Sequence, residues 1–81
     1  MEDFDDIERQ IRTIIAEELQ ADENEIRKDS TIAELGGDSL KALMLITSLE
    51  NHFNITISDE DAMKIKSFSA AAGIVRKLTN A

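Results

Sequence analysis

Phe4, Ile7, Ile11, Ile14, Ile15 and Leu19 recur at steps of three and four residues. That spacing predicts one continuous apolar stripe along an amphipathic helix over residues 4–20. No other feature constrains the fold as strongly, because a stripe of this kind must be covered by other elements of the same small body. The chain has 81 residues, no cysteine and a single histidine, His52. A disulfide framework, a thiolate metal cluster and an imidazole-rich metal site are therefore closed to it. Packing between helices has to hold it together, and a domain of this size buries only about 60% of the surface its unfolded chain exposes.

The remaining pattern is helical as well. Asp3, Asp5, Asp6 and Glu8 crowd the start of the first helix, where the positive end of the helix dipole favours them. Residues 21–37 are polar, with Ile26, Ile32 and Leu35 as isolated apolar pegs, and read as a long loop pinned to the core with room for a helical turn. A second helix is predicted over residues 39–53, with Ala42, Leu45, Ile46, Leu49 and Phe53 on the core-facing arc. Leu40 and Met44 fall on the opposite side with Thr47 and Asn51, as a docking surface or as ordinary isolated exposed residues. Ile55 and Ile57 alternate like a short extended segment, with no second strand to pair it. Ser58 and Asp61 resemble a capping box opening a short third helix over residues 59–64. Ser67 or Ser69 can cap a last helix carrying Phe68, Ala71, Ala72, Val75 and Leu78, with Arg76 and Lys77 near its negative end. The predicted fold is all-α: a small up-and-down bundle of three main helices plus one short helix, with a long loop after the first.

Charge narrows the function. Seventeen acidic and nine basic residues give a net charge of −8. Through residue 40 there are 13 acids and 4 bases (−9), and beyond it 4 acids and 5 bases (+1), so the negative field is lopsided. Nucleic acid is not an expected partner, since like charge repels a phosphate backbone. No run of 18 apolar residues and no signal-like leader is present, so stable membrane insertion is not expected and the location reads as cytoplasmic.

The segment "LGGDSLKALML", Leu35 to Leu45, holds the candidate chemistry. A serine before an apolar run is a helix cap far more often than a reactive group. Asp38 is an equally good cap, and with Asp38 in that role Ser39 becomes the first helical residue and its hydroxyl is free. "GDSL" also opens the serine motif of one hydrolase class. Such an enzyme needs a base near the serine, and His52 lies 13 residues further along the same helix, about 20 Å away at 1.5 Å per residue. An EF-hand beginning at Asp22 fails because Arg27 stands where the turn glycine belongs and Ala33 where the bidentate glutamate belongs. An outward serine at a helix N-terminus suits a phosphate, and Gly36 and Gly37 clear side-chain bulk in front of it for a modifying enzyme.

Over nearly its whole length the chain resembles an acyl carrier protein. "LGGDSLKALMLITSLENHFNITISDEDAMKIKSF" follows that family's pattern, and Asp38-Ser39-Leu40 matches its DSL motif. The resemblance implies that residues 1–81 form a single carrier domain and that Ser39 receives 4′-phosphopantetheine from coenzyme A, with Gly37, Asp38 and Leu40 around the attachment point. It implies a shuttle rather than an enzyme, which fits a chain that has no thiol of its own. The implied partners are a phosphopantetheinyl transferase, an acyl-loading ligase or transferase, and ketosynthase-type and other acyl-processing enzymes, meeting a monomer. Leu43, Ile46, Leu49, Phe53, Ile55, Met63 and Ile65 are the candidates to shelter an acyl chain, with ordinary core as the alternative for each.

The second helix departs from the fatty-acid pattern. Lys41, Met44, Glu50, Asn51 and His52 leave it near neutral where that pattern is acidic, so docking is expected to lean on Leu40, Lys41 and Met44. "LGGDSL" is closer to peptidyl carrier domains and "FNITISDEDAMKI" to the fatty-acid type, which together suggest a specialised, free-standing carrier. Fatty-acyl, polyketide and aminoacyl cargo all remain open at this point, as does an unmodified interaction module.

Overall fold

The computed structural model describes residues 3–79. Met1, Glu2, Asn80 and Ala81, the ends of the expected 1–81 domain, lie outside the described residues. Among the described residues four helices follow in order, α1 (Asp6–Leu19), α2 (Ser39–Phe53), α3 (Asp59–Lys64) and α4 (Phe68–Thr79), with a 3₁₀ turn at Glu23–Glu25. Among the described residues there is no strand. α2 and α3 have the predicted bounds; α1 begins two residues late because Asp5 is its N-cap.

Ile11, Ile14, Ile15 and Leu19 of α1 are buried against Leu45 and Leu49 of α2 and Phe68, Ala71, Ala72, Ile74 and Val75 of α4. Phe4, just ahead of α1, meets Phe68 edge-on with ring centroids 5.4 Å apart, so the stripe continues past the helix itself. Ile46 and Phe53 stay half-buried at the edges of the core. α2 ends at Asn54, whose left-handed backbone (φ 54°) turns the chain and lets the Ile55 N–H donate to the Glu50 carbonyl.

The long first loop is pinned as its pegs require. Ile26 and Ile32 are buried and Leu35 is half-buried against the core. An isolated antiparallel bridge pairs Thr31 with Ser67. Around it the Ile32 N–H donates to the Lys66 carbonyl and the Phe68 N–H to the Ser30 carbonyl, each at 2.9 Å. The loop is thus fastened to the start of α4, and its last residues hand the chain to α2 in a fixed place. Ser67 caps α4, accepting from the Ala70 N–H at 3.1 Å, while Ser69 donates to the Lys28 carbonyl instead.

One capping expectation is corrected. Ser58 does accept from the Asp61 N–H, but the Asp61 carboxylate does not reach back to close a box. It turns inward and takes both its hydrogen bonds from Lys77 Nζ, at 3.0 Å each. A charged residue at that position reads as solvated from sequence; here it is buried because a cation on α4 meets it.

Candidate functional site

α2 starts where the pinned loop delivers it. Gly36 has φ +88°, a left-handed backbone that other residues rarely adopt. Gly37 is required for a different reason: a Cβ there would lie 2.4 Å from Ile32 Cγ2 and 3.0 Å from the Ile32 carbonyl oxygen. The expectation that Gly37 clears space for an enzyme is therefore corrected, since its missing side chain makes room for Ile32 inside the protein. The space in front of Gly36 is open.

Asp38 is the N-cap, its Oδ1 accepting from the Lys41 N–H at 2.9 Å. Ser39 is consequently the first residue of α2, exposed, and its hydroxyl has no hydrogen-bond partner among the described residues. The N–H groups of Ser39 and Leu40 precede the first intrahelical bond and have no acceptor within the helix. The first turn of α2 carries no acidic side chain. Uncompensated amides, the positive end of the dipole and a free alcohol therefore converge at one exposed point, which is what a phosphodiester needs. The residues present fit a phosphate-linked prosthetic group.

The single histidine does not stand beside the serine. His52 sits in the last turn of α2, within 2.7 Å of Gln10 Oε1 on α1. Next to Ser39 lies an apolar surface: Leu40, Leu43 and Met44 are 66%, 61% and 50% exposed, with Lys41 half-buried beside them. The expectation that Leu43 lies inside is also corrected. At 100° per residue it stands about 120° round the helix from Leu49, outside the core arc. Met63 is likewise misplaced by sequence: it is 75% exposed, because on the short α3 the inward face belongs to Asp61. Of the other acyl-pocket candidates, Leu49 and Ile65 are buried and Ile46, Phe53 and Ile55 are half-buried. Two surface clefts, one lined by Phe4, Arg12 and Arg27 and one by Glu25, Arg27 and Leu35, involve none of these residues.

The family model for the phosphopantetheine attachment site matches residues 9–75. The chain belongs to this family, that of the acyl carrier proteins. Its prosthetic group is 4′-phosphopantetheine. Solved structures agree. An acyl carrier protein from Thermotoga maritima is 27% identical, with TM-score 0.78 over 95% of this chain and 96% of that one. A chain in the structure of the ishigamide ketosynthase/chain length factor is 28% identical, with TM-score 0.73 over 91% of this chain and 94% of that one. The mupirocin didomain acyl carrier protein is 25% identical, with TM-score 0.76 over 95% of this chain but 42% of its own length. Among the described residues of this carrier, no helix is long and apolar enough to cross a membrane.

Sequence reasoning missed the inward Asp61 and its Lys77 partner. One signal was available, since Ile65 lies four residues beyond Asp61 and therefore shares its face of the helical turn. Nothing in the sequence pairs that face with Lys77.

Proposed function

We propose that Ser39 is the attachment point of the prosthetic group and that residues 1–81 act as one carrier domain for acyl intermediates. The observation that carries this reading is the division of labour at the start of α2: Asp38 satisfies the Lys41 amide, so the exposed Ser39 hydroxyl is left unspent. In the attachment step Ser39 Oγ bonds to the pantetheine phosphorus of coenzyme A. The pyrophosphate bond breaks, 3′,5′-ADP leaves with the electron pair, and the serine proton passes to a base of the transferase. Once attached, the arm supplies a terminal thiol on which an acyl group rides as a thioester. The chain's own residues hold the anchor still and offer its surroundings to partners.

Partner enzymes on this reading meet Leu40, Lys41 and Met44, joined by Leu43, through an apolar patch rather than a cluster of basic residues. Support comes from the exposure of Leu40, Leu43 and Met44 and from an α2 with no acid in its first turn. A ketosynthase-type partner is favoured by the similarity to a chain in the ishigamide ketosynthase/chain length factor structure. Fatty-acyl or polyketide cargo is the preferred class, with aminoacyl loading as the competitor. The cargo shelters against Ile46, Leu49, Phe53, Ile55 and Ile65. The reading implies a cytoplasmic location, where coenzyme A is available.

The test is incubation of the unmodified protein with coenzyme A and a broad-range phosphopantetheinyl transferase, followed by intact mass. The wild type gains one phosphopantetheine and Ser39→Ala gains none, with unchanged helicity. A wild type that takes up nothing ends the proposal. Offering the modified protein to acyl- and amino-acid-activating ligases then separates the two cargo classes.

A further inference from the structure

The chain that leads to Asp38, residues 31–37, is closed on itself at both ends. At its start the Glu34 N–H donates to Thr31 Oγ1 at 3.1 Å and the Thr31 N–H to Glu34 Oε2 at 3.3 Å, a reciprocal pair of the kind that opens a helix. At its end the Gly37 N–H donates to the Ile32 carbonyl at 2.9 Å and the Gly36 N–H to the Ala33 carbonyl at 3.1 Å, with Gly36 left-handed at φ +88°. Those two bonds and that backbone are the pattern with which helices commonly stop. Residues 31–37 thus form one turn with a start and a stop of its own.

Ile32 is the hub of this turn. Its carbonyl accepts from Leu35 as well as from Gly37, its N–H donates to the Lys66 carbonyl, and its buried side chain fills the place of a Gly37 Cβ. Together with the bridge between Thr31 and Ser67, these contacts tie the turn to the residues just ahead of α4. The other side of Ser39 offers no comparable hold. The first buried residue of α2 is Leu45, and Ser39, Leu40, Leu43 and Met44 are all exposed. The placement of the serine is therefore inherited from the turn that precedes it. Gly36 belongs to that turn for its backbone, since a Cβ there would meet nothing within 4 Å.

We propose that the closed turn over residues 31–37 presents Ser39 to the enzyme that modifies it, with Ile32 and Gly36 as positioning residues. The inference rests on Ser39 being the attachment point. It assigns Gly36 to backbone conformation and not to clearance for the incoming enzyme.

Steady-state transfer of phosphopantetheine from saturating coenzyme A, with the unmodified protein as the varied substrate, separates those two roles. Valine is an outlier at a left-handed position, whereas asparagine adopts it readily and reaches further from the backbone. Gly36→Val should raise KM about threefold or more and leave kcat unchanged, because only the molecules with the turn closed present the serine. Gly36→Asn should stay within about twofold of wild type. Glu34→Ala and Glu34→Gln repeat the comparison at the start of the turn, since glutamine keeps an acceptor for the Thr31 N–H and alanine does not. KM should rise in the alanine variant alone. Hydrogen exchange at the Gly37 amide should quicken in Gly36→Val and Glu34→Ala, with Ile15 and Val75 at their wild-type rates. Equal rises in KM for Gly36→Val and Gly36→Asn would mean that bulk obstructs the enzyme, and would overturn the proposal. So would an unchanged KM in Gly36→Val and Glu34→Ala, or a fall in kcat alone. If Gly36→Val does not fold, the Glu34 pair decides. Failure of the attachment reading would show separately, as a wild type that takes up nothing.

Discussion

The first and second helices of this bundle both begin with an aspartate cap, and the two beginnings are built to opposite ends. At α1, Asp5 accepts from the Glu8 N–H while Glu8 accepts from the Asp5 N–H, each at 2.9 Å, so the cap is reciprocal. Arg76 of α4 then bonds the Asp5 carboxylate and lies 3.8 Å from Glu8, tying that start to the end of the chain. At α2 the cap is one-sided. Asp38 accepts from Lys41, but a lysine in the third position has no oxygen to return, and among the described residues no cation from another helix bonds Asp38. The first start uses its acids to close itself. The second leaves its amides and its hydroxyl open, as the proposed attachment at Ser39 requires.

How the chain arrives at each start differs too. Phe4 anchors the approach to α1 by packing on Phe68, whereas the approach to α2 is fixed by the absence of a side chain at Gly37. Disturbing the approach to α2 should therefore have the largest effect on stability. Gly37→Ala places a methyl group 2.4 Å from Ile32 Cγ2 and against the Ile32 carbonyl. That overpacking should cost about 1–3 kcal/mol in urea unfolding. The open start should survive it, so phosphopantetheine uptake by the folded variant should persist. An unchanged unfolding midpoint would mean that Ile32 moves aside freely, and the contrast between the two approaches would lose its basis.

These particulars also explain which features are legible in the sequence. The bounds of α2 and α3 and the choice of Asp38 over Ser39 as cap follow from local rules, because caps and apolar spacing act within a few residues. The same helical wheel places Leu40 and Met44 outward. Leu43 is misplaced when general apolar character is allowed to outweigh that wheel, and Met63 because the inward face of α3 belongs to Asp61. The reason for Gly37 is invisible, since it depends on Ile32, a residue brought close only by the folded loop. The Asp61–Lys77 and Asp5–Arg76 pairs join residues 16 and 71 positions apart, and no local pattern announces either.

The closed start should reveal itself through pH. The Asp5 carboxyl titrates below its ordinary value of 3.8, chiefly because it accepts the Glu8 N–H and next because Arg76 bonds it, while Asp5 in turn raises Arg76. A carboxylate whose folded pKa is depressed adds stability that is fully present above its unfolded pKa and disappears as pH falls through the folded one. Asp5→Asn keeps a competent cap but removes the charge. It should be less stable than wild type at pH 7, with the gap narrowing below pH 3.8 as the wild-type carboxylate protonates. Denaturant midpoints at neutral and acid pH measure this, and a gap of constant size would assign the loss to packing instead of charge.

The smallest expected effect comes from converting one start into the other. Lys41→Glu gives α2 an acid in the position Glu8 occupies in α1, where it can accept from the Asp38 N–H and face the positive end of the dipole. The gain should be about 0.3–1 kcal/mol, at the low end because no cation from α4 bonds this start as Arg76 bonds the other. The same charge opposes the approach of coenzyme A phosphates, so uptake at Ser39 should slow at low ionic strength. That difference should fade near 1 M salt, where charges are screened beyond about 3 Å. A variant that is no more stable than wild type and is modified equally fast at every salt concentration would show that an open cap at α2 has nothing to do with attachment, and the functional contrast between the two helix starts would fall.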